Sequence, residues 1–159
     1  MRRILVVYYS RTGNTRKVAS FLAEKLSAEL EEIKEVLPGR KTFFSAAWQA
    51  RRKYCPPILP QKFNPSAYHL VIIGTPVWAF TMASPVRSFL TLHRGRLRQA
   101  AFFCTLGGYG SKNTFQEMER VAGKKPLACL SIREKDIRNN HFFEQVEGFV
   151  QEIDKLLKK

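Results

Sequence analysis

Acidic side chains, cysteines and long apolar runs are all scarce in this 159-residue chain, and each shortage excludes something. Thirteen Asp and Glu stand against 27 Lys and Arg, so an acidic surface is ruled out and the net charge is +14. Cysteine occurs only at Cys55, Cys104 and Cys129, an odd number without C-x-x-C spacing. That argues against a disulfide framework or thiolate metal site and for a reducing compartment, the cytoplasm being the expected one. The three histidines, His69, His93 and His141, are scattered among apolar neighbours and suggest no metal centre. The longest apolar runs, Ile4 to Tyr9 and Leu70 to Ile73, are too short to span a bilayer, and no signal-peptide pattern is readable. A soluble, unprocessed chain is expected. With 45% apolar residues it can build one core, so residues 1–159 are expected to form a single domain.

The positive charge implies attraction to something anionic: nucleic acid, a membrane surface, an acidic partner or a phosphorylated ligand. It is concentrated at Arg2-Arg3 with Arg11, Arg16 and Lys17, at Arg40 to Lys53 with Lys62, and at Arg87 to Arg98. Charge alone does not choose among these partners, and a solvated basic surface with a generic solubility or steering role is the favoured explanation.

Strand-like and helix-like periods alternate along the chain, which signals a parallel sheet. Ile4–Tyr9, Leu70–Ile73 and Ala100–Cys104 are continuous β-rich runs, as strands buried on both faces require. Val18, Phe21, Leu22, Leu26 and Leu30 form the apolar stripe of a helix from about Asn14 to Leu30, and Glu31 to Leu37 reads as a second strand. Ser84 or Thr81 is placed to cap a helix through Val86 and Phe89, and Asn113 another that stops at Gly123. Pro126 to Ile132 supplies a fifth strand, followed by a C-terminal helix with Phe142, Val146, Phe149, Ile153 and Leu156 on one stripe.

A basic and aromatic insertion at about 38–65 interrupts this alternation. Lys41 to Tyr54 reads as a helix with Phe43, Phe44, Ala47, Trp48 and Ala50 on one side, and Cys55-Pro56-Pro57 with Pro60 forces an extended tail. The helix either covers the sheet or presents a surface to a partner, membrane or substrate.

In open parallel sheets, ligands bind at the carboxyl ends of the strands where strand order reverses. Three loops meet there: Ser10 to Thr15, Thr75 to Met82 and Leu106 to Ser111. The first places Ser10, Thr12, Asn14 and Thr15 around Gly13 at a helix N-terminus, with Arg11 beside them. Free backbone N–H groups, the positive end of the helix dipole and four uncharged donors suit a phosphate, and a helix cap needs only one such side chain. Other anion loops fail on residue type. A Walker loop needs a lysine that is absent, a dinucleotide fingerprint needs three glycines where only Gly13 stands, and a C-x5-R loop from Cys104 meets Gly110. A phospho-receiver needs acidic residues where Tyr9 and Ser10 are found.

The segment Val6-Val7-Tyr8-Tyr9-Ser10-Arg11-Thr12-Gly13-Asn14-Thr15 resembles the FMN-phosphate signature of the flavodoxin-like family. Ile73-Gly74-Thr75-Pro76-Val77-Trp78 is similar to the family's third-strand loop, and Cys104-Thr105-Leu106-Gly107-Gly108-Tyr109-Gly110 to its fourth-strand loop. The resemblance implies an α/β three-layer open sandwich with a five-stranded parallel sheet of order 2-1-3-4-5. It also implies non-covalent FMN held by Ser10–Thr15, by Thr75, Pro76, Val77, Trp78, Ala79 and Phe80, and by Thr105, Leu106, Gly107, Gly108, Tyr109 and Gly110. Independently, Trp78, Phe80 and Tyr109 are large aromatics expected on loops, suited to stack on a planar tricyclic ring, although Trp78 or Phe80 can equally plug the core.

An FMN protein of this size is either a one-electron shuttle or a two-electron reductase. Flavodoxins that shuttle electrons are acidic, which disfavours the anionic reduced flavin; +14 here favours it. The family's shuttles also rely on a flipping peptide that glycine eases, and Thr75 to Met82 contains no glycine. Both features favour FMN reduced by NAD(P)H or a partner and reoxidised by a quinone, with Arg11, Arg51 or Arg52 as phosphate contacts. Neither a protein nucleophile nor a metal is required. A basic one-electron carrier to an acidic redox protein is the alternative, and a flavin-free nucleic-acid or membrane-surface module a remote one. DNA is not expected as a partner, and an oligomer is compatible with the family.

Overall fold

A computed structural model describes residues 2–36 and 43–159. Its elements in chain order are β1 (Ile4–Tyr8), α1 (Asn14–Leu26), β2 (Glu29–Glu32), α2 (Phe43–Arg51), β3 (Leu70–Trp78), β4 (Thr81–Met82), α3 (Ser84–Leu92), β5 (Ala100–Leu106), α4 (Ser111–Ala122), β6 (Cys129–Arg133), α5 (Glu134–Arg138) and α6 (Phe143–Leu157). Five strands pair in parallel in the order β2-β1-β3-β5-β6, and β4 folds back antiparallel onto the end of β3. Counting parallel strands alone, the order is 2-1-3-4-5. Strand order reverses between β1 and β3, where Val7 pairs with Ile73 and Tyr8 with Gly74.

Successive strand residues point to opposite faces. Leu5, Val7, Val71, Ile73, Ala100 and Phe102 join one core cluster, closed by Ala46 and Ala50 of α2, Val86, Phe89 and Leu90 of α3 and Met118 of α4. The alternating residues Ile4, Val6, Leu70, Ile72, Ala101 and Phe103 join a second, closed by Val18 and Leu22 of α1 and Val146, Phe149 and Ile153 of α6. Both faces of β1, β3 and β5 are therefore covered, which is why those strands are apolar without alternation. Gly74 admits the Phe103 ring, because a Cβ there would lie 2.0 Å from Phe103 Cζ.

Several boundaries differ from the sequence-based expectation. α1 stops at Leu26, where Ser27 turns left-handed with φ 49°, and the second strand lies at Glu29–Glu32 rather than from Glu31 onward. The burial pattern of β2 is inverted for a strand: Leu30 is exposed, and the Glu31 carboxylate is turned in to accept the backbone N–H groups of Lys62 and Phe63, the latter at 3.0 Å. The tail of the insertion runs antiparallel beside residues 34–36, with Leu59 N donating to Lys34 O at 2.8 Å and Val36 N to Pro57 O at 3.1 Å. Thr81 belongs to β4 and not to a cap, Ala83 is the N-cap residue of α3, and Gly110 rather than Asn113 is the N-cap residue of α4. α5 has only five residues, too few for a periodic stripe to announce.

The insertion helix packs inward through Ala46 and Ala50, with Trp48 58% exposed under the Arg52 guanidinium, 4.2 Å from its ring centroid. A covering helix was one of the two expected roles, but the inward face is the alanine face and not the tryptophan face. Leu37, Lys41 and the side chains of Phe43 and Phe44 lie outside the described residues. No helix among the described residues is long and apolar enough to cross a membrane.

Candidate functional site

The loop between β1 and α1 crosses the carboxyl edge of the sheet at the reversal of strand order. Gly13 takes a left-handed conformation (φ 97°), which lets the chain turn from strand into helix, and no side chain caps α1 among the described residues. The first N–H groups of α1 have no carbonyl to bond within the helix. Ser10 Oγ accepts the Gly13 N–H at 3.1 Å, which closes the loop on itself. Thr12 and Arg11 are exposed, and Ser10 and Asn14 are half-buried. Thr15 is buried, and its hydroxyl pairs with that of Thr105 at 2.8 Å, tying α1 to the end of β5.

Arg16 and Lys17 do not reach the loop's open side. Arg16 is drawn to Glu32 (2.7 Å) and Tyr8 OH, and Lys17 to Asn140 Oδ1 (2.6 Å) and the Ile137 carbonyl. The groups on that side are therefore the loop's backbone N–H groups and hydroxyls, with Arg11 among the residues lining it.

Beyond the loop lies a cavity of about 290 Å³ lined by Arg11, Thr12, Thr15, Pro76, Val77, Trp78, Thr105 and Glu134. Larger depressions line the outer edge of β2 and the exposed side of α2, but neither lies at the reversal of strand order. Glu134 was not anticipated. Its signal was positional, since it is the first residue after β6 and so shares the sheet's carboxyl edge.

Thr75 to Met82 is not an open loop. Thr75, Pro76, Val77 and Trp78 continue β3, and Ala79-Phe80 forms a two-residue hairpin into β4 with Val77 opposite Met82 and Trp78 opposite Thr81. Both turn residues have positive φ, 48° and 65°, as in a type I′ turn that ordinarily takes Asn and Gly. Thr75 is fully buried, and its Oγ1 accepts the Ala83 N–H at 3.0 Å. Trp78 is on a strand, nearly buried, and meets Tyr9 edge-on at 5.5 Å between centroids. Its expected loop position is therefore corrected: one edge belongs to the core while the residue still lines the cavity. Phe80, in the hairpin turn, and Tyr109, in the β5–α4 loop, are 63% and 83% exposed.

The hairpin is locked to the β5–α4 loop. Asn113 Nδ2 donates to the Phe80 carbonyl at 2.7 Å, and left-handed Gly110 (φ 108°) sits where a Cβ would be 2.9 Å from Phe80 Cα. Gly107 and Gly108 are exposed with open space around them, and Leu106 is buried at the end of β5. Of the three arginines considered as phosphate contacts, Arg11 lines the cavity, Arg51 lines a depression beside Ala79, and Arg52 is stacked on Trp48.

Among the described residues, Cys104, Cys129 and Tyr9 are all held protonated rather than primed as nucleophiles. Burial pushes the Cys104 thiol up to about 12, and burial with the charges of Glu119 and Glu152 raises Cys129 to about 11. Tyr9 is likewise held protonated, pushed up to about 12 by burial and the Glu35 charge. No group of acidic, cysteine or histidine residues among the described residues is arranged to hold a metal.

Fold and site together define a doubly wound α/β protein with an uncapped, hydroxyl-rich helix N-terminus at its switch point, an arrangement that accepts a phosphate-bearing ligand. The chain belongs to the flavodoxin family: the family model described as Flavodoxin matches residues 3–137. Among solved structures it is similar to a flavoprotein in complex with FMN from Lactobacillus acidophilus NCFM, with 22% identity, a TM-score of 0.74, and 87% of this chain and 98% of that one covered. The apo-form of the flavoprotein from that organism gives 24% identity and a TM-score of 0.65, covering 87% and 96%. Oxidised Flavodoxin 2 from Bacillus cereus gives 17% and 0.60, covering 96% and 98%. At these identities the likeness is one of fold.

Proposed function

We propose that this protein binds FMN non-covalently and acts as a reductase that passes electrons from NAD(P)H to a quinone-type acceptor. The observation that carries the cofactor is the Gly13 turn, where a helix N-terminus without a side-chain cap coincides with a loop of hydroxyl and amide residues, of which Thr12 and Thr15 line the neighbouring cavity. The neighbouring cavity fits the rest of the group. Its volume is near the lower bound for small-molecule sites, so it would enclose part of the group and leave the rest exposed. When bound, FMN would supply hydride acceptance from NAD(P)H and return of two electrons to the quinone, with one proton that arrives in the hydride and a second from solvent.

The residues of the chain bind and orient. Loop N–H groups would hold the phosphate, Trp78 and Tyr109 would confine the ring, and Thr105 with the backbone of Leu106 to Gly110 would serve its polar edge. Two features support the reductase over the shuttle. The +14 charge favours an anionic reduced state, and the Ala79-Phe80 turn is already left-handed and pinned through Asn113 and Gly110, which restrains any peptide rearrangement there. We place the protein in the cytoplasm, as a single domain, consistent with Cys55, Cys104 and Cys129 all being free.

The test is to purify the protein, record its visible spectrum after adding FMN, and follow bleaching by NADH and NADPH with and without a quinone. A yellow protein bleached by a nicotinamide and recoloured by quinone is expected. A protein that FMN cannot colour would refute the cofactor, and a bound flavin that stops half-reduced in a stable form would favour a one-electron carrier for an acidic partner.

A further inference from the structure

Charge is distributed unevenly along this chain, and α2 lies where it is most one-sided. No Asp or Glu stands between Glu35 and Glu117, while Lys and Arg recur throughout that stretch. α2 turns Ala46 and Ala50 to the core and leaves Trp48, Arg51 and Arg52 exposed. The helix exit gathers further side chains beside them. Lys53 turns left-handed with φ 57°, and Tyr54 N donates back to the Gln49 carbonyl at 3.1 Å, so the chain folds against the last turn of α2. The result is a depression of about 570 Å³ lined by Trp48, Gln49, Arg52, Lys53, Tyr54 and Cys55, with Tyr54 49% exposed.

The positive charge of this face is not cancelled. Lys53 reaches Glu117 at 3.4 Å, but Glu117 is shared with Arg87 and Arg120. Arg51 and Arg52 have no carboxylate partner among the described residues, and the Arg52 guanidinium rests on the Trp48 ring. Arg51 and Lys53 also line the depression beside Ala79 and Thr81, and Phe80 between those two is mostly exposed. Cations and exposed rings therefore continue from α2 toward the β3–β4 turn.

The arrangement discriminates among anionic partners. A protein–protein interface concentrates apolar side chains at its centre and depletes charge there. Here Trp48, Arg51, Arg52, Lys53 and Tyr54 interleave rings with cations. A nucleic-acid strand would stack its bases on the rings, but one face of Trp48 already carries the Arg52 guanidinium. A bilayer surface accepts both kinds of group. Indole and phenol rings lie at the headgroup level, while long cationic side chains beside them reach the lipid phosphates.

We propose that the outer face of α2 docks the protein reversibly on an anionic phospholipid surface, with Trp48 and Tyr54 as the apolar contacts and Arg51, Arg52 and Lys53 as the cations that meet lipid phosphates. Each cation held near such a surface adds attraction, and no carboxylate from residues 36–116 opposes it. The inference goes beyond the redox reading and does not depend on it, since none of these side chains is needed to hold FMN.

The test is co-sedimentation of the protein with vesicles of phosphatidylcholine alone and of equal parts phosphatidylcholine and phosphatidylglycerol. Partition into the mixed vesicles is expected to be about tenfold or more above that into phosphatidylcholine, and to fall as salt is raised. Arg51→Gln/Arg52→Gln is expected to lose about tenfold of it. Lys135→Gln/Arg138→Gln, which removes the same charge from exposed positions on α5, on the other face of the sheet, is expected to keep most of it. Tryptophan emission of the parent should shift to the blue on the mixed vesicles, and Trp48→Phe should abolish the shift. No preference for the anionic vesicles, an unmoved emission, or equal losses in the two double variants would overturn the proposal. So would tighter binding of a single-stranded oligonucleotide that Arg51→Gln/Arg52→Gln abolishes, which would give this face to nucleic acid.

Discussion

Replacing Gly74 by alanine sets two effects of known size against each other. Glycine inside a strand is weaker than alanine by about 0.5–1 kcal/mol, so the substitution gains that much from the backbone. The new methyl would lie 2.0 Å from Phe103 Cζ, with Cε1 and Cε2 at 2.4 and 2.5 Å. Carbon atoms in contact prefer about 3.5–4.0 Å, so ring or strand must move by about 1.5 Å. Phe103 is fully buried against α1 and α6 residues and has no free space to enter. Overpacking of this kind costs about 1–3 kcal/mol, and an overlap this deep belongs at the upper end, so the clash wins by about 1–2 kcal/mol. For a chain of this size that is a drop in Tm of about 3–8 °C. Thermal and urea denaturation of Gly74→Ala, Phe103→Leu and the double variant measure it, with the double variant expected to recover at least about 1 kcal/mol relative to the sum of the singles. A Gly74→Ala protein as stable as the parent, or strictly additive losses, would show that Phe103 does not hold this ring position.

Gly13→Ala meets no side chain, so its penalty of about 1–2 kcal/mol is purely conformational, and fluorescence titration should show FMN binding weakened more than stability. Thr15→Val strands the Thr105 hydroxyl and should cost about 1–3 kcal/mol by urea unfolding, while Thr15→Val/Thr105→Val should restore most of it. Phe80→Gly relieves a left-handed residue that is mostly exposed, so it should raise Tm slightly while weakening FMN binding. Glu117 is held below its ordinary value of 4.5, first by the Arg120 hydrogen bond and then by Arg87. Its contribution is therefore complete above about pH 4.5 and lost as pH falls below that, so Glu117→Gln should flatten the acid limb of a stability–pH curve.

The central strands and the first loop were legible because their signals are local and strong: three apolar runs buried on both faces, and a hydroxyl-rich turn around one glycine; the strand order came only with the family resemblance. β2 was placed late because its residues contradict the usual pattern, with Leu30 facing out and Glu31 facing in to hold Lys62 and Phe63. The hairpin at Ala79-Phe80 was invisible for the opposite reason. A type I′ turn announces itself through Asn or Gly, and here tertiary contacts from Asn113 and Gly110 impose it on residues that disfavour it. The place of Glu134 and the outward turn of Trp48 depend on which elements meet, information carried by no single segment.

The close fit of Gly110 beneath Phe80 gears the two upper loops together. Displacing the β3–β4 turn from the β5–α4 turn breaks the Asn113 bond to the Phe80 carbonyl and opens the close approach that glycine at position 110 permits. Loading of a ligand from above therefore has two routes of very different speed: side-chain rotation of Phe80 and Tyr109, which is fast, and joint displacement of both turns, which is slow. A cofactor that needs only the first exchanges freely, and one that needs the second stays with the protein through many turnovers.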